Sequence, residues 1–287
     1  AKGRPADHPL IVHLSDAAAI EVWADAIPSY AWRLAKAFWP GPMTLILRRR
    51  ANVLDVVTGG LNSVGLRIPG HPVALRLLRA FGGGLAAPSA NRFGRVSPTT
   101  AADVLRELGR SVDVVLDGGP CQVGLESTIV DATGDVPSIL RPGAITAEAI
   151  AERLGVVPTR PRGDSPRAPG RMASHYAPEA RVELASPGTL GPRAVAALTA
   201  GLRVAVLVDS LPAELAVERL QGLAERLVHI PLSSDLEEAA RRLYVGLRSV
   251  DTQACDLALV ELPGEAGLGA ALADRLRKAA GQGESPR

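Results

Sequence analysis

Leu85-Ala-Ala-Pro88-Ser-Ala-Asn-Arg-Phe-Gly-Arg-Val-Ser-Pro-Thr99 is the stretch on which the reading of the fold turns. Gly82-Gly83-Gly84 precedes it, Leu85 to Ala87 are apolar, and Pro88 biases Ala87 away from helix. A short buried strand is therefore expected to end at Pro88. Beyond Thr99, the run Thr100-Ala-Ala-Asp103-Val-Leu-Arg-Glu-Leu108-Gly109 opens like a capping box, carries apolar residues at helical spacing and closes on glycine. The whole reads as strand, polar loop, helix. Ser89, Asn91, Arg92, Arg95 and Ser97 fall in the loop. Hydroxyls, an amide and guanidiniums at the carboxyl end of a strand suit an anionic ligand, because open α/β sheets bind there. The same residues would also serve a well-capped surface loop.

On the amino-terminal side, Lys2-Gly-Arg4-Pro5 places two cations ahead of an apolar strand, Leu10-Ile11-Val12. Ser15 to Ala37 has helical spacing broken at Pro28, which predicts two helices. Trp39-Pro-Gly-Pro42 makes a rigid turn before a strand at Met43 to Leu47. In Ser63-Val-Gly-Leu-Arg67-Ile68 the period-two alternation puts Ser63 and Arg67 on one strand face, which could equally be an ordinary exposed face. Pro72 to Phe81 reads as a helix, and Asp113-Val-Val-Leu-Asp117 as a buried strand. Strands are also expected at Glu126 to Asp131 and at Pro137 to Gly143, the latter delivering Arg141 to its end, before a closing helix at Thr146 to Leu154. This mixed order predicts α/β with a mixed sheet over residues 1–157.

Residues 158–180 form a linker, where Pro158, Pro161, Pro166, Pro169 and Pro178 alternate with Arg160, Arg162, Arg167 and Arg171. The third region, 181–287, carries a buried strand at Arg203 to Asp209, an amphipathic helix near Leu215 to Leu227, a strand at Val228 to Leu232 and a helix at Leu236 to Leu247. A strand at Leu257 to Glu261 and a helix at Gly269 to Ala279 complete a βαβαβα order and a small Rossmann-like parallel sheet.

Charge separates the regions: residues 1–178 hold 20 Lys and Arg against 15 Asp and Glu, a net +5, and residues 179–287 hold 12 against 15, a net −3. The first part suits phosphate or RNA, and the second an accessory role. No apolar run reaches membrane-spanning length, and no secretory signal pattern opens the chain. Cys121 and Cys255 lie far apart and match no metal or redox spacing, which points to a reducing cytoplasm, and the five histidines lack HExxH-type spacing, so a zinc site is not expected. Cys121 has no evident partner base, so a nucleophilic role is not expected of it.

Taken together, Lys2-x-Arg4-Pro5, Pro9-Leu-Ile-x-His13, Trp39-Pro-Gly-Pro42-x-Thr44, Arg67-x-Pro69, Ser89-Ala-Asn91 and Ser127-Thr128 resemble the YrdC/Sua5 family. Ala168-Pro-Gly170 and His175-Tyr-Ala-Pro178 are similar to the connector of its two-domain Sua5 branch. The resemblance implies a threonylcarbamoyl-AMP synthase, a nucleotidyltransferase that takes ATP, L-threonine and bicarbonate or CO2 to threonylcarbamoyladenylate and pyrophosphate. That product feeds the t6A modification of tRNA. By the same resemblance, Lys2, Arg4, Ser89 and Asn91 form the catalytic signature; Arg4, His8, Ser63, Ser89, Ser97, Arg141 and Tyr176 would contact ATP; and His13, Arg67, Ala87 and Ser127 would hold threonine. Position 8 is His where the family usually has Asn. The family's Pro-Thr-Glu-Thr-Val-Tyr-Gly-Leu segment, which supplies a further threonine contact, does not occur here, so a segment upstream of Ala1 is expected.

The chemistry needs no protein nucleophile: a carbamate oxygen attacks the α-phosphorus, and the demands are approximation and charge neutralisation. Mg²⁺ is expected to share the triphosphate charge, and the absence of GxxxxGK[ST] means that side chains, not a Walker loop, would hold the phosphates. A carbamate and its mixed anhydride hydrolyse readily, so a cover is required, and the linker is long enough to fold back as one. A downstream t6A transferase and a direct tRNA contact are possible partners. The competing readings are a non-catalytic RNA-binding module with a basic platform, disfavoured by 3% aromatics, and an ATP-dependent carbamoyltransferase using carbamoyl phosphate.

Overall fold

The computed structural model describes every residue except 162, 164, 171–174 and 283–287. Arg162 and Arg171 of the linker thus lie outside the described residues.

The first region begins with β1 (Ile11–His13), a short α1 (Ile20–Trp23), β2 (Ala24–Asp25), α2 (Ser29–Phe38), β3 (Met43–Arg49), α3 (Asp55–Thr58), β4 (Ser63–Arg67) and α4 (Pro72–Phe81). It continues with β5 (Leu85–Ala87), α5 (Ala101–Leu108), β6 (Thr128–Asp131), β7 (Ser138–Arg141) and α6 (Ala147–Leu154). The strands form a mixed sheet in the order β5-β1-β4-β3-β6-β7, with β2 on the far end of β3. β1–β4 and β3–β6 are parallel, and the remaining pairs are antiparallel. Pro28 stands as the N-cap of α2, but the first helix ends earlier, at Trp23, where the chain turns into β2. Thr100 and Asp103 cap α5 reciprocally, and Gly109 ends it.

Alternation along β3 sorts the two faces of this sheet. Met43, Leu45 and Leu47 join Leu34 of α2 and Ile150 of α6 in the main core. Ile46 points the other way, to a smaller cluster with Ile11, Ile129, Leu140 and, from the linker, Ala168. No helix of the first region contributes to that second cluster, so the linker covers an apolar floor there.

The second region contains β8 (Arg181–Ala185), α7 (Pro187–Thr199), β9 (Val204–Val208), β10 (Leu227–Pro231), α8 (Leu236–Thr252), β11 (Leu257–Glu261) and α9 (Gly269–Ala279). Its four strands are all parallel, ordered β10-β9-β11-β8. α7 packs on one face through Leu190, Ala194 and Leu198. α8 and α9 pack on the other, in a cluster that also takes in Val96, Leu125 and Tyr176. The helices α8 and α9 therefore join the second region to the loop, strand and linker around the first region's open face. Among the described residues no helix is long and apolar enough to cross a membrane.

Several expectations are corrected. The strand at Leu85–Ala87 forms and ends before Pro88, but as the edge of the sheet with Ala86 and Ala87 exposed, not buried. Asp113 to Asp117 forms no strand: Val114 and Leu116 are 74% and 57% exposed, and no described segment offers the ladder partners that β-branched runs need. Leu215 to Leu227 is not a helix but three 3-10 turns, at Ala213–Leu215, Val217–Arg219 and Ala224–Arg226. Gln221 and Gly222 at positive φ break it, and successive turns still bury Leu215 and Leu220. Sequence reasoning also assigned nothing to β8 and α7. Pro187, Gly188, Gly191 and Pro192 hide that helix from propensity, while a Ser186–Thr189 capping box and an i, i+4, i+8 stripe sustain it.

Candidate active site

The linker's return across the open sheet face encloses a cavity of about 220 Å³. The amino-terminal loop, the ends of β1, β4 and β7, the loop after β5, and linker residues Pro169, Gly170, His175 and Tyr176 line it. Strand ends deliver Arg67 and Arg141, while Lys2 and Arg4 come from the loop before β1. In the parallel β1–β4 pair His13 is in register with Arg67, and Arg141 is the last residue of β7.

Four cations reach the wall, and each is held by main-chain oxygens. Lys2 Nζ donates to Ser89 O at 2.5 Å and to Asn91 O; Arg4 donates to His8 O; Arg67 Nε donates to Gly41 O at 2.9 Å. Arg141 donates to Ser127 O at 2.9 and 3.2 Å, to Ser127 Oγ at 3.2 Å and to Pro169 O at 3.0 Å. Among the described residues none of the four is ion-paired, so their charge is oriented but uncompensated. Burial lowers the Lys2 ammonium to about 8, and burial together with nearby Arg141 lowers the Arg67 guanidinium to about 10. Burial, then Arg67, lowers the His13 imidazole to about 4, leaving it neutral. Such a wall favours an anion, which would offset both the burial and the mutual repulsion.

Unpaired polar atoms converge there too. His13 Nδ1, His175 Nδ1 and Tyr176 Oη are buried without a hydrogen-bond partner, and only ligand or water can satisfy such groups. His8, Phe93, His175 and Tyr176 form a chain of edge-on ring contacts, with centroids 5.3, 6.1 and 4.1 Å apart, along one side.

Ten of the thirteen residues singled out from sequence line this cavity: Lys2, Arg4, His8, His13, Arg67, Ala87, Ser89, Ser127, Arg141 and Tyr176. Ser63, Asn91 and Ser97 do not. Ser63 begins β4, at the other end from Arg67, and lies in register with Arg48. Asn91 shapes the loop from behind, donating to Arg92 O and Arg95 O at 2.8 and 2.9 Å while its own carbonyl accepts Lys2. Ser97 Oγ is engaged, donating to Glu126 at 2.6 Å. Cys121 is a free thiol pushed up by burial, which disfavours thiolate.

Sequence reasoning missed the groups that hold the linker down. Lys278 Nζ of α9 donates to Gly170 O at 2.7 Å, and Arg167 pairs with Asp7 at 3.0 Å. Gly170 has φ +76°, and a Cβ there would collide with the Tyr176 hydroxyl and stand 3.0 Å from Arg141 Nη1. Behind the wall, fully buried Arg275 of α9 donates to Glu126 at 2.8 Å and to Pro142 O at 3.0 Å, with its guanidinium 5.2 Å from the Tyr176 ring centroid. The sequence did carry a signal for Arg275: it falls between Ala271 and Ala279 on the buried stripe of α9, where a cation needs a partner.

Burial alone would raise the Glu126 carboxyl, but Arg275 and Arg141 hold it down, to about 2. A folded-state value below the ordinary 4.5 contributes stability that is present above pH 4.5 and lost as pH falls from there through 2. By linkage this amounts to about 3 kcal/mol. Urea titrations at pH 5 and pH 2.5 should therefore show a stability loss that is smaller in Glu126→Gln by about that order, and an equal loss in both proteins would contradict the assignment.

Residues 1–143 match the Sua5–YciO–YrdC family, described as telomere recombination, and residues 145–281 match the threonylcarbamoyl-AMP synthase C-terminal domain. The chain is 38% identical to the threonylcarbamoyl-AMP synthase of Pyrococcus abyssi, covering 98% of this chain and 82% of that one. It is also 38% identical to that of Bacillus subtilis, with the same coverage. A crystal structure of P. abyssi Sua5 complexed with L-threonine superposes with a TM-score of 0.85 at 37% identity, covering 98% of this chain and 82% of that chain. The chain belongs to the two-domain Sua5 family of threonylcarbamoyl-AMP synthases.

Proposed function

We propose that the chain converts ATP, L-threonine and bicarbonate or CO2 into L-threonylcarbamoyladenylate and pyrophosphate, in the cytoplasm, for t6A modification of tRNA. The observation that carries this reading is the set of four oriented, uncompensated cations around an apolar floor. They converge inside a cavity under the linker, and an RNA platform would spread them over an open face instead.

Arg67 receives the threonine carboxylate as a fork, with neutral His13, Ala87 and Ser127 around the rest of the amino acid. Lys2, Arg4, Arg141 and Ser89 take the triphosphate, while His8 and Tyr176 bound the nucleoside; Ser97 and Asn91 act from behind the wall, and Ser63, at the far end of β4, has no part in it. The carbamate formed on the threonine nitrogen attacks the α-phosphorus, and pyrophosphate leaves toward the cations. Their fixed positions supply approximation and stabilise developing charge without reorganisation.

The wall's single carboxylate, Glu126, is taken by Arg275, and no group of three metal-ligating side chains occurs among the described residues. These residues do not form a divalent-cation cage. Mg²⁺ therefore belongs to the incoming nucleotide, as MgATP. The product, a reactive mixed anhydride, passes to a t6A transferase that works on tRNA.

Pyrophosphate release tests the assignment. It should require ATP, L-threonine and bicarbonate together, and equal release with L-serine, or none with L-threonine, would overturn it.

A further inference from the structure

A carboxylate in the wall beside four cations is the natural partner for one of them, and Glu126 immediately precedes Ser127, whose carbonyl and hydroxyl hold Arg141. Glu126 nevertheless makes no ion pair with Arg141. Its oxygens are occupied by Ser97 Oγ at 2.6 Å, Tyr244 Oη at 2.7 and 3.0 Å and Arg275 Nε at 2.8 Å. Two of these three donors come from the second region, Tyr244 from α8 and Arg275 from α9. Arg275 also donates to Pro142 O, the residue after Arg141, so one guanidinium spans the approach to β6 and the exit of β7.

We propose that Arg275, with Tyr244, is a positioning residue that keeps Glu126 occupied and thereby leaves the Arg141 guanidinium available to the phosphates of ATP. The second region then has a defined part in the reaction: it supplies the counter-charge that prevents the site from neutralising itself. Without Arg275 the buried carboxylate takes the nearest remaining cation, and Arg141 is the one whose field it already shares. The inference rests on the functional reading only in naming ATP as the anion.

The test is a suppressor experiment read by ATP binding in calorimetry and by KM and kcat. Arg275→Met should weaken ATP binding and raise KM for ATP by about tenfold, with threonine affinity little changed. Adding Glu126→Gln to Arg275→Met should restore most of the loss, because the competing charge is gone. A purely structural role predicts that the double variant is no better than the single, and that result, or unchanged ATP binding in Arg275→Met, overturns the proposal. If Arg275→Met does not fold, Tyr244→Phe, which removes one donor and keeps the ring, should show a smaller loss that Glu126→Gln again suppresses; no loss in Tyr244→Phe overturns the proposal. An unsubstituted chain that binds ATP but releases no threonine-dependent pyrophosphate would overturn the functional reading, and the binding series would still decide this one.

Discussion

Replacing Arg67 by alanine should weaken threonine binding while sparing ATP, and Arg141→Ala should do the reverse. Each arginine supplies a charge-assisted contact whose loss costs roughly 1.5–3 kcal/mol, on the order of ten- to a hundredfold in affinity. The two come from different strands, β4 and β7, and rest on different groups, Gly41 for one and Ser127 for the other; since Ser127 also borders the threonine subsite, Arg141→Ala is expected to cost ATP much more than threonine. Both variants should remain folded, since neither arginine forms an ion pair whose partner would be left buried and unpaired. Calorimetric titration of each variant with each ligand checks this. A loss of threonine binding in Arg141→Ala with ATP binding intact would mean that the subsites are exchanged.

The second large effect is expected from the linker. Tyr176 is fully buried at φ 63°, packed between His175 and Tyr244 and over Arg275. Truncating a buried aromatic side chain typically costs about 3–5 kcal/mol. Here the loss falls on docking of the linker, because Tyr244 and Arg275 are held by α8 and α9 of the second region and the linker is not. Tyr176→Ala should therefore leave both regions folded, weaken retention of ATP and increase AMP formed per molecule of intermediate captured. In the unsubstituted protein, ATP with threonine should protect the Arg167–Ala168 bond from trypsin. Equal proteolysis with and without ligands, together with unchanged turnover in Tyr176→Ala, would make the linker a tether only. Gly170→Ala tests the same closure from the other side: an added methyl meets Tyr176 and Arg141 at a backbone angle that glycine alone adopts easily.

What could be read from the sequence depended on whether the signal was local. The capping box of α5, the helix at Pro72 to Phe81 and the strand ends carrying Arg67 and Arg141 are set by neighbouring residues, and they appear where periodicity and turn chemistry place them. The failures have non-local causes. Asp113 to Asp117 has strand composition without a partner strand, and α7 is a helix because its apolar stripe packs, in spite of its prolines and glycines. The site divides in the same way. Cations in short motifs were visible, whereas the Glu126–Arg275 pair joins residues 149 positions apart and depends on how α9 meets the loop before β6.

On the proposed function, this cavity joins threonine, inorganic carbon and the AMP moiety of ATP into one molecule. Mass spectrometry of the nucleotide product formed from ATP, L-threonine and ¹³C-bicarbonate tests it most directly. The expected product is a threonylcarbamoyl adenylate whose mass rises with the labelled carbon and whose formation stops when threonine is omitted. A nucleotide product without the label, or one labelled equally in the absence of threonine, would contradict it.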